Sequence, residues 1–148
     1  MINVQKYRLE VVKEEGARYD LDRRVTCPSD MYDIFRKVFR LDKQAEEVFC
    51  IVTLDIKNNL TGCFEVSRGT VSSANVTPRE VFKRAILQNA SAIILAHNHP
   101  SGDVNPSRDD INITRKLINV GEMLGIDVLD HVIIGDMLNH SMKEEGEI

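Results

Sequence analysis

The sequence contains few cysteines, no long apolar run and no excess of basic residues. Its three cysteines, Cys27, Cys50 and Cys63, are an odd number without C-x-x-C spacing, which argues against a disulfide framework. No segment approaches the roughly 20 consecutive apolar residues that a membrane-spanning helix requires. The formal net charge is -4, so no overall basic field attracts the chain to nucleic acid or to an anionic membrane. These absences favour a soluble protein of the reducing cytoplasm.

The 148 residues are enough for one domain with a hydrophobic core. The 43% of apolar and 28% of charged residues are ordinary for a globular protein. Before Gly16, apolar and charged residues alternate and then give way to a polar stretch, which fits either a peripheral strand or an extended arm. We therefore divide the chain into an arm or peripheral strand over residues 1–27 and a globular domain over residues 28–148.

Helical spacing and capping residues predict the first two helices. Ser29 or Asp30 is placed to cap a helix whose apolar residues share one face. Thr77 caps the second helix, which has a proline at its first position and is predicted to have a capping box completed by Glu80.

Strands alternate with these helices along the chain. The third helix is predicted to begin at Ser107 or Asp109 and to end at Gly125, with Ile111, Leu117, Ile118 and Leu124 turned inward. Apolar and β-branched runs predict strands at residues 48–54, 60–66, 92–97 and 126–134, the first two forming a hairpin. The tail from His140 onward is polar. The fold class is therefore α/β or α+β, with a mixed central β-sheet flanked by helices.

Two histidines follow one of the apolar runs. In a strand, His97 and His99 project from the same face because alternate side chains point the same way. The next loop is rich in turn residues and can fold the chain back so that Asp110 lies beside the two rings. Two imidazoles and a carboxylate suit zinc with a fourth position open for water, as in catalytic sites. The pattern therefore predicts a hydrolytic metal centre with His97, His99 and Asp110 as ligands.

Asp110 has a second interpretation. Residues 107–110 have the pattern of a capping box, in which Ser107 caps the helix and Asp110 braces its first turn. The two roles are compatible if Ser107 satisfies the backbone while Asp110 turns outward. Asp109 is expected to be solvated, and Asp103 is expected to be a turn residue.

Hydrolysis also needs a group that accepts a proton from the attacking water. Glutamates at four positions are candidates by chemistry: Glu46, Glu47, Glu65 and Glu80. Glu80 is better explained by its helix cap. Glu46 and Glu47 stand where a polar segment enters the most buried strand, and spacing does not choose between them.

The other histidines and other zinc signatures carry less information. The sequence has no H-E-x-x-H helix and no H-x-E followed by P-C-x-x-C, the pattern of nucleobase deaminases. The contiguous letters His-Asn-His are not the nuclease motif of that name, which takes its residues from separated elements. We expect His131 to pack at the edge of the sheet, with a role behind a metal ligand left open, and His140 to be an exposed tail residue.

The histidine segment resembles the JAMM motif of JAB/MPN metalloproteases, which is H-x-H-P followed by S-x-x-D. Its wider context resembles the RadC branch of that superfamily, over residues from about 28 to 145. The matching segments are Arg68–Thr70, Pro78–Lys83, His97–Gly102, Pro106–Ser107, Leu129–His131 and Ile134–Gly135. The chain resembles the short members, because it begins too late to hold the N-terminal helix-hairpin-helix region of longer ones.

This resemblance implies a cytidine-deaminase-like fold with zinc held by His97, His99 and Asp110. Alignment with the family's corresponding strand puts the catalytic glutamate at Glu47, with Glu46 as the fallback. Ser107 matches the serine that steadies the oxyanion.

The principal hypothesis is a zinc-dependent peptidase or isopeptidase acting on a peptide or protein substrate. One alternative is a binding module for a protein or DNA-repair complex with a vestigial or structural metal. Another is a DNA-processing enzyme, against which the acidic composition argues. No membrane partner is expected, and an edge strand in a mixed sheet favours a homodimer.

Overall fold

A mixed five-stranded sheet forms the centre of the protein, in a computed structural model that describes residues 1–72 and 74–148. The strands are β1 (Glu47–Leu54), β2 (Leu60–Gly69), β3 (Ala92–Asn98), β4 (Asp127–Ile134) and β5 (Asn139–Ser141). The helices are α1 (Pro28–Lys37), α2 (Pro78–Leu87) and α3 (Arg108–Leu124), and a 3₁₀ turn covers Leu41–Lys43.

The strand order is β2-β1-β3-β4-β5. β1 pairs antiparallel with both β2 and β3, β3 pairs parallel with β4, and β4 pairs antiparallel with β5. The parallel pair is joined by α3, as parallel strands require a crossover connection. Every residue of β3 is buried, and the strand accordingly begins with the apolar run Ala92–Ala96. The predicted mixed sheet with flanking helices is confirmed.

Helices cover both faces of the sheet. On one face α1 contributes Ile34 and Phe35 to the core, and on the other α2 contributes Val81 and Phe82 while α3 contributes Leu117. Each such side chain stabilises the fold by roughly 1.5–3 kcal/mol when fully buried. The site described below lies where the second of these two layers meets the end of β3.

The predicted cap of α1 was wrong. Cys27 is the N-cap residue, and Pro28 occupies the first helical position, where its missing N–H costs nothing. Asp30 is the third helical residue, and its carboxylate accepts hydrogen bonds from the backbone N–H of Thr26 at 2.7 Å and of Cys27 at 3.1 Å. The acidic residue therefore braces the first turn from inside the helix.

One of the two predicted features of the α2 cap is present, the Thr77 hydrogen bond, and the other, the capping box with Glu80, is not. The Thr77 hydroxyl accepts a hydrogen bond from the Glu80 backbone N–H at 3.3 Å. The Glu80 carboxylate does not complete a capping box but contacts Lys83 at 2.7 Å and Arg84 at 3.4 Å. Two cations one turn further along the helix compete successfully for this carboxylate.

The ends of α3 agree with the sequence, but its buried face is only partly as predicted. Ser107 is the N-cap and Gly125, at φ 70°, ends the helix in the left-handed conformation. Leu117 is buried and Ile111 and Ile118 are half-buried, whereas Leu124 is 46% exposed in the last turn. The residues that fill the face are Asp110, Ile113, Thr114, Leu117 and Gly121.

The polar C-terminal segment is part of the fold. β5 pairs with β4, and the His140 imidazole lies 2.8 Å from the Glu147 carboxylate, so His140 is half-buried and its predicted exposure was wrong. The buried Asp130 carboxylate accepts hydrogen bonds from the Ser141 hydroxyl and the Lys143 backbone N–H. Because Asp130 lies far in sequence from Ser141 and Lys143, no local sequence pattern predicts these hydrogen bonds.

The N-terminal arm meets the domain at Arg23–Val25. The Leu60 N–H donates to the Arg23 carbonyl at 2.8 Å, the Val25 N–H donates to the Asn58 carbonyl at 2.9 Å, and the Val25 side chain is buried in the core. Residues 1–20 are exposed and contain no helix or strand. Cys27, Cys50 and Cys63 are free thiols. Among the helices of the described ranges, none has the length and apolar character to cross a membrane.

Candidate metal centre

Three side chains converge where β3 ends and α3 begins. The Nε2 atoms of His97 and His99 lie 2.9 Å apart, and the Asp110 Oδ2 atom lies 3.4 Å from each of them. His97 and Asp110 are buried, and the His99 side chain is 14% exposed. The structure thus brings together the three residues that the sequence singled out as ligands.

The spacing of these atoms fits a tetrahedral cation site. Zinc bonds to nitrogen and oxygen of about 2.0–2.2 Å place neighbouring ligands of a tetrahedron roughly 3.3–3.6 Å apart. The two histidine-to-aspartate distances of 3.4 Å match that separation. The two ring nitrogens are somewhat closer and face each other, an arrangement that favours a proton or a cation between them.

A turn fixes the orientation of the His99 ring. Its Nδ1 lies 2.6 Å from the backbone carbonyl of Asp103, and because a carbonyl only accepts, Nδ1 carries a proton and Nε2 is the nitrogen directed toward the site. The Asp103 carboxylate accepts from the Asn105 N–H at 3.0 Å, as expected of a turn residue. Gly135 lets this loop approach the sheet, since a Cβ there would lie 2.7 Å from Val104.

Asp110 serves the helix and the site with the same oxygen. Its Oδ2 accepts a hydrogen bond from the Ser107 N–H at 2.8 Å, and the Ser107 hydroxyl accepts from the Asp110 N–H at 3.0 Å. The predicted capping box is therefore present, but Asp110 does not turn outward: it is 4% exposed and its inward position satisfies both roles. The Ser107 side chain remains exposed beside it.

Electrostatic coupling within the site favours the ionised carboxylate. Burial raises the pKa of the Asp110 carboxyl, but the neighbouring imidazoles of His97 and His99 oppose this effect and hold the pKa well below its ordinary value. Reciprocally, the hydrogen bond with Asp110 raises the pKa of the His99 imidazole against the effect of burial. The site therefore holds an anion that attracts a positive charge, whether a proton or a metal ion.

Glu47 lies beside the histidines on the neighbouring strand. The antiparallel pairing of Phe49 with His97 brings the start of β1 next to His99, and the Glu47 Oε1 atom lies 3.8 Å from His99 Nε2. Its other oxygen accepts a hydrogen bond from the Val71 N–H at 3.0 Å. Glu47, His97 and His99 offer atoms within 4.8 Å of one another, although Asp110 is closer to both rings. Glu46 is exposed.

Asn98 holds the segment that carries Glu47, a role that the sequence did not predict. Its carboxamide oxygen accepts from the Val48 N–H at 2.7 Å, and its amide donates to the Glu46 carbonyl at 2.9 Å. The residue between the two histidines thus clamps the backbone on both sides of Glu47. Strand alternation was the available signal, because it places Asn98 on the face opposite His97.

Three further residues surround His97 from behind. His97 Nδ1 lies 2.7 Å from Nε2 of His131, and His131 Nδ1 is hydrogen-bonded to the Thr114 hydroxyl. The Phe49 ring stacks on His97 and meets His131 edge-on. Burial lowers the pKa of His131 well below its ordinary value, so this ring is neutral. His131 lies inside the sheet between β3 and β5, so the predicted edge position was wrong.

The mixed α/β architecture and the cluster at the end of β3 define a JAB/MPN-type domain. The profile of the RadC-like JAB domain matches residues 25–147, and the chain belongs to that family. The match starts within the segment where the arm meets the domain.

Relatives of the same family occur in archaea and bacteria. A UPF0758 protein of Methanosarcina acetivorans is 44% identical over 139 residues, which are 94% of this chain and 58% of the relative. A UPF0758 protein of Geotalea uraniireducens is 46% identical over 142 residues, covering 95% of this chain and 61% of the relative. The chain therefore spans about 60% of the length of these relatives, whose shared name states no activity.

Proposed function

We propose that this domain is a zinc-dependent hydrolase of amide bonds, a peptidase or isopeptidase. His97, His99 and Asp110 hold the metal, Glu47 is the general base, and Ser107 stabilises the oxyanion. The observation that carries the proposal is the convergence of two ring nitrogens and one carboxylate oxygen within 3.4 Å of one another, with a second carboxylate close by.

The donor set is the chemical argument for zinc. Two neutral imidazoles and one carboxylate form a three-ligand set of the kind found in catalytic zinc sites, which keep a fourth position for water or substrate. Bound zinc supplies a Lewis acid that lowers the pKa of a coordinated water and polarises a carbonyl. Family membership supports the same chemistry, because the JAB/MPN superfamily includes metalloproteases.

The protein's own side chains perform the proton transfers. The Glu47 carboxylate accepts a proton from the attacking water and returns it to the departing amine. The Val71 N–H fixes one oxygen of that carboxylate, which leaves Oε1, 3.8 Å from His99, as the oxygen directed toward the site. The Ser107 hydroxyl accepts from the Asp110 N–H and has its own proton to donate to a developing oxyanion.

Metal analysis tests the ligands. Elemental analysis of purified protein should find about one zinc per chain in the wild type and in Glu47→Gln, and none in His97→Ala. Thermal unfolding of each metal-free variant controls for folding. Full zinc occupancy in a folded His97→Ala protein would refute the ligand assignment.

Cleavage assays test the reaction. Zinc-loaded protein is incubated with a mixed peptide library that includes isopeptide-linked lysines, and products are identified by mass spectrometry. The wild type should cleave and Glu47→Gln should not, although both retain zinc. Equal cleavage by the two proteins would remove Glu47 from the mechanism. Zinc retention without any cleavage would contradict the hydrolase and favour a metal-binding scaffold.

A further inference from the structure

We infer that Thr114 and His131 are positioning residues that decide which nitrogen of His97 is available to a metal. This inference deepens the proposed metal site and rests on it for one of its two readouts. It comes from a chain of three hydrogen bonds that runs from the α3 backbone to the His97 ring, with a direction set by the chemistry of its first member.

The first member is the Thr114 hydroxyl, which has one proton and three neighbours. It lies 2.6 Å from the backbone carbonyl of Asp110, 3.6 Å from the sulfur of Met142 and against Nδ1 of His131. A carbonyl oxygen only accepts, and two oxygens at that distance repel unless a proton lies between them. The hydroxyl proton therefore points to the Asp110 carbonyl, which is a better acceptor than the thioether.

With its proton committed, the Thr114 oxygen acts as an acceptor toward His131. His131 Nδ1 must then carry a proton. In the described residues the nitrogens of this buried ring contact only the Thr114 hydroxyl and the His97 ring, with no carboxylate to balance a second proton, so Nε2 carries a lone pair. Nε2 lies 2.7 Å from His97 Nδ1, so His97 donates from Nδ1. The Nε2 atom of His97 is left without a proton and faces His99 and Asp110.

Burial makes this chain effective. His97 and Thr114 are fully buried and His131 is 1% exposed, so bulk water does not replace a lost partner. The Phe49 ring packs against both histidines and limits their rotation. Metal-binding histidines generally donate their second N–H to a carbonyl, a carboxylate or water. Here a second neutral imidazole takes that place and is itself oriented by a hydroxyl.

The reverse arrangement of protons has a distinct consequence. If Thr114 donated to His131, His131 would donate from Nε2 to His97, and the His97 proton would sit on Nε2, in the position of a bound metal. The hydroxyl thus biases the site toward the form that binds a cation. Removing it should allow both arrangements.

Thr114→Val and Thr114→Ser form the matched pair for the test. Valine has a similar shape and no hydroxyl, whereas serine keeps the hydroxyl. The first readout is ¹⁵N–¹H correlation of the histidine rings in zinc-free protein, which reports the protonated nitrogen of His97. The wild type and Thr114→Ser should show a proton on Nδ1, and Thr114→Val should show a mixture of Nδ1 and Nε2 forms.

The second readout is zinc affinity, measured by competition with a chromophoric chelator. Thr114→Val should bind zinc about 10- to 100-fold more weakly, the usual effect of losing a partner behind a metal ligand, and Thr114→Ser should bind within about threefold of wild type. Because Thr114→Val could perturb packing, His131→Gln and His131→Leu provide a second pair. Glutamine offers an oxygen to His97 Nδ1, so it should retain tighter zinc binding than leucine.

The two readouts separate this inference from the proposed function. If the wild type fails to bind zinc, the proposed function fails, but the NMR measurement still decides the hydrogen-bond chain. A wild-type His97 protonated on Nε2 in zinc-free protein would overturn the inference. Zinc binding and His97 protonation unchanged in Thr114→Val would overturn it as well.

Discussion

Ser107 combines two tasks at the residue scale. Its oxygen caps α3, and its exposed hydroxyl is the proposed donor to the oxyanion. Ser107→Ala should lower the free energy of unfolding by about 1 kcal/mol, measured by urea denaturation of metal-free protein. It should also slow peptide cleavage about 10²–10³-fold, as for other single oxyanion donors. Ser107→Thr keeps both functions and serves as the control, and equal loss of rate in the two variants would contradict the assignment.

Asn98 couples the strand of the proposed histidine ligands to the strand that bears Glu47, the proposed base. Asn98→Leu removes the partner of the Val48 N–H and of the Glu46 carbonyl, and the buried Val48 N–H left unpaired costs roughly 1–3 kcal/mol. Urea denaturation should therefore show a clear loss of stability, while zinc content stays near one per chain. Asn119→Leu, on an exposed part of α3, should change stability by less than about 0.5 kcal/mol. A similar, small effect in both variants would show that the Asn98 clamp is energetically unimportant.

The sequence carried enough information to predict where the proposed ligands lie, but not what surrounds them. Alternation along a strand predicts that His97 and His99 share a face, and the turn-rich loop predicts the return of Asp110. The contact between His131 and Thr114 joins β4 to α3, and no local period contains it. Sequence spacing alone did not distinguish Glu46 from Glu47 as the glutamate near the histidines. The pairing of β1 with β3, a long-range contact, places Glu47 beside His99.

At the scale of the element, the start of α1 depends on an ionised carboxylate. Hydrogen bonds from the Thr26 backbone and hydroxyl, and from the Cys27 N–H, lower the pKa of Asp30 below its ordinary value of 3.8. The ionised form is favoured in the folded state, so its stabilising effect is complete above pH 3.8 and is lost as the pH falls through the lowered pKa. Asp30→Asn should be less stable than wild type at pH 7, with the difference shrinking below pH 3.8.

Urea denaturation between pH 7 and pH 3 measures that difference. Asp33→Asn removes a carboxylate from the exposed face of the same helix, where it contacts Lys37, and is the control for the change in net charge. If Asp30→Asn and Asp33→Asn gave the same pH dependence, the hydrogen bonds of Asp30 would not be the cause.

Elements with a strong apolar pattern were predictable from the sequence. A very short strand, and a helix start with competing capping residues, were not. β1 and β3 follow from continuous apolar runs, and α3 begins and ends at its capping residues. β5 has three residues of polar sequence and exists because Asp130 anchors the turn that follows it. At α1, a serine and an aspartate after Pro28 both resembled caps, and the proline itself determined the position of the helix start.

At the scale of the whole molecule, the arm contributes little to the fold. Its apolar side chains at Ile2, Val4, Tyr7 and Leu9 are each at least 77% exposed. Deleting residues 1–19 should leave the thermal unfolding midpoint nearly unchanged, since these residues bury no apolar surface in the core. Val25→Ala, at the buried junction, should instead cost about 1–3 kcal/mol. A large loss of stability on deletion would mean that the arm packs against the domain in solution.

The predicted homodimer stays a prediction. In the described residues the start of β2 contacts the arm through the bridge between Arg24 and Asn59 and the hydrogen bond from the Leu60 N–H to the Arg23 carbonyl, and no further strand pairs with the outer edge of β2. Light scattering on the full chain and on the chain without residues 1–19 would measure whether the arm or the edge supports self-association.

The side chains of residues 97–99 point alternately to the two faces of one strand, and this has a consequence for misassembly. If β3 paired one position out of register, its side chains would move to the opposite faces of the sheet. Asn98 would then face Asp110, and the two imidazoles would face the backbone of β1. This single change would remove both the proposed histidine ligands and the Asn98 hydrogen bonds that hold the backbone around Glu47. A sheet with that shifted register therefore lacks the proposed metal site altogether, rather than having a weakened one.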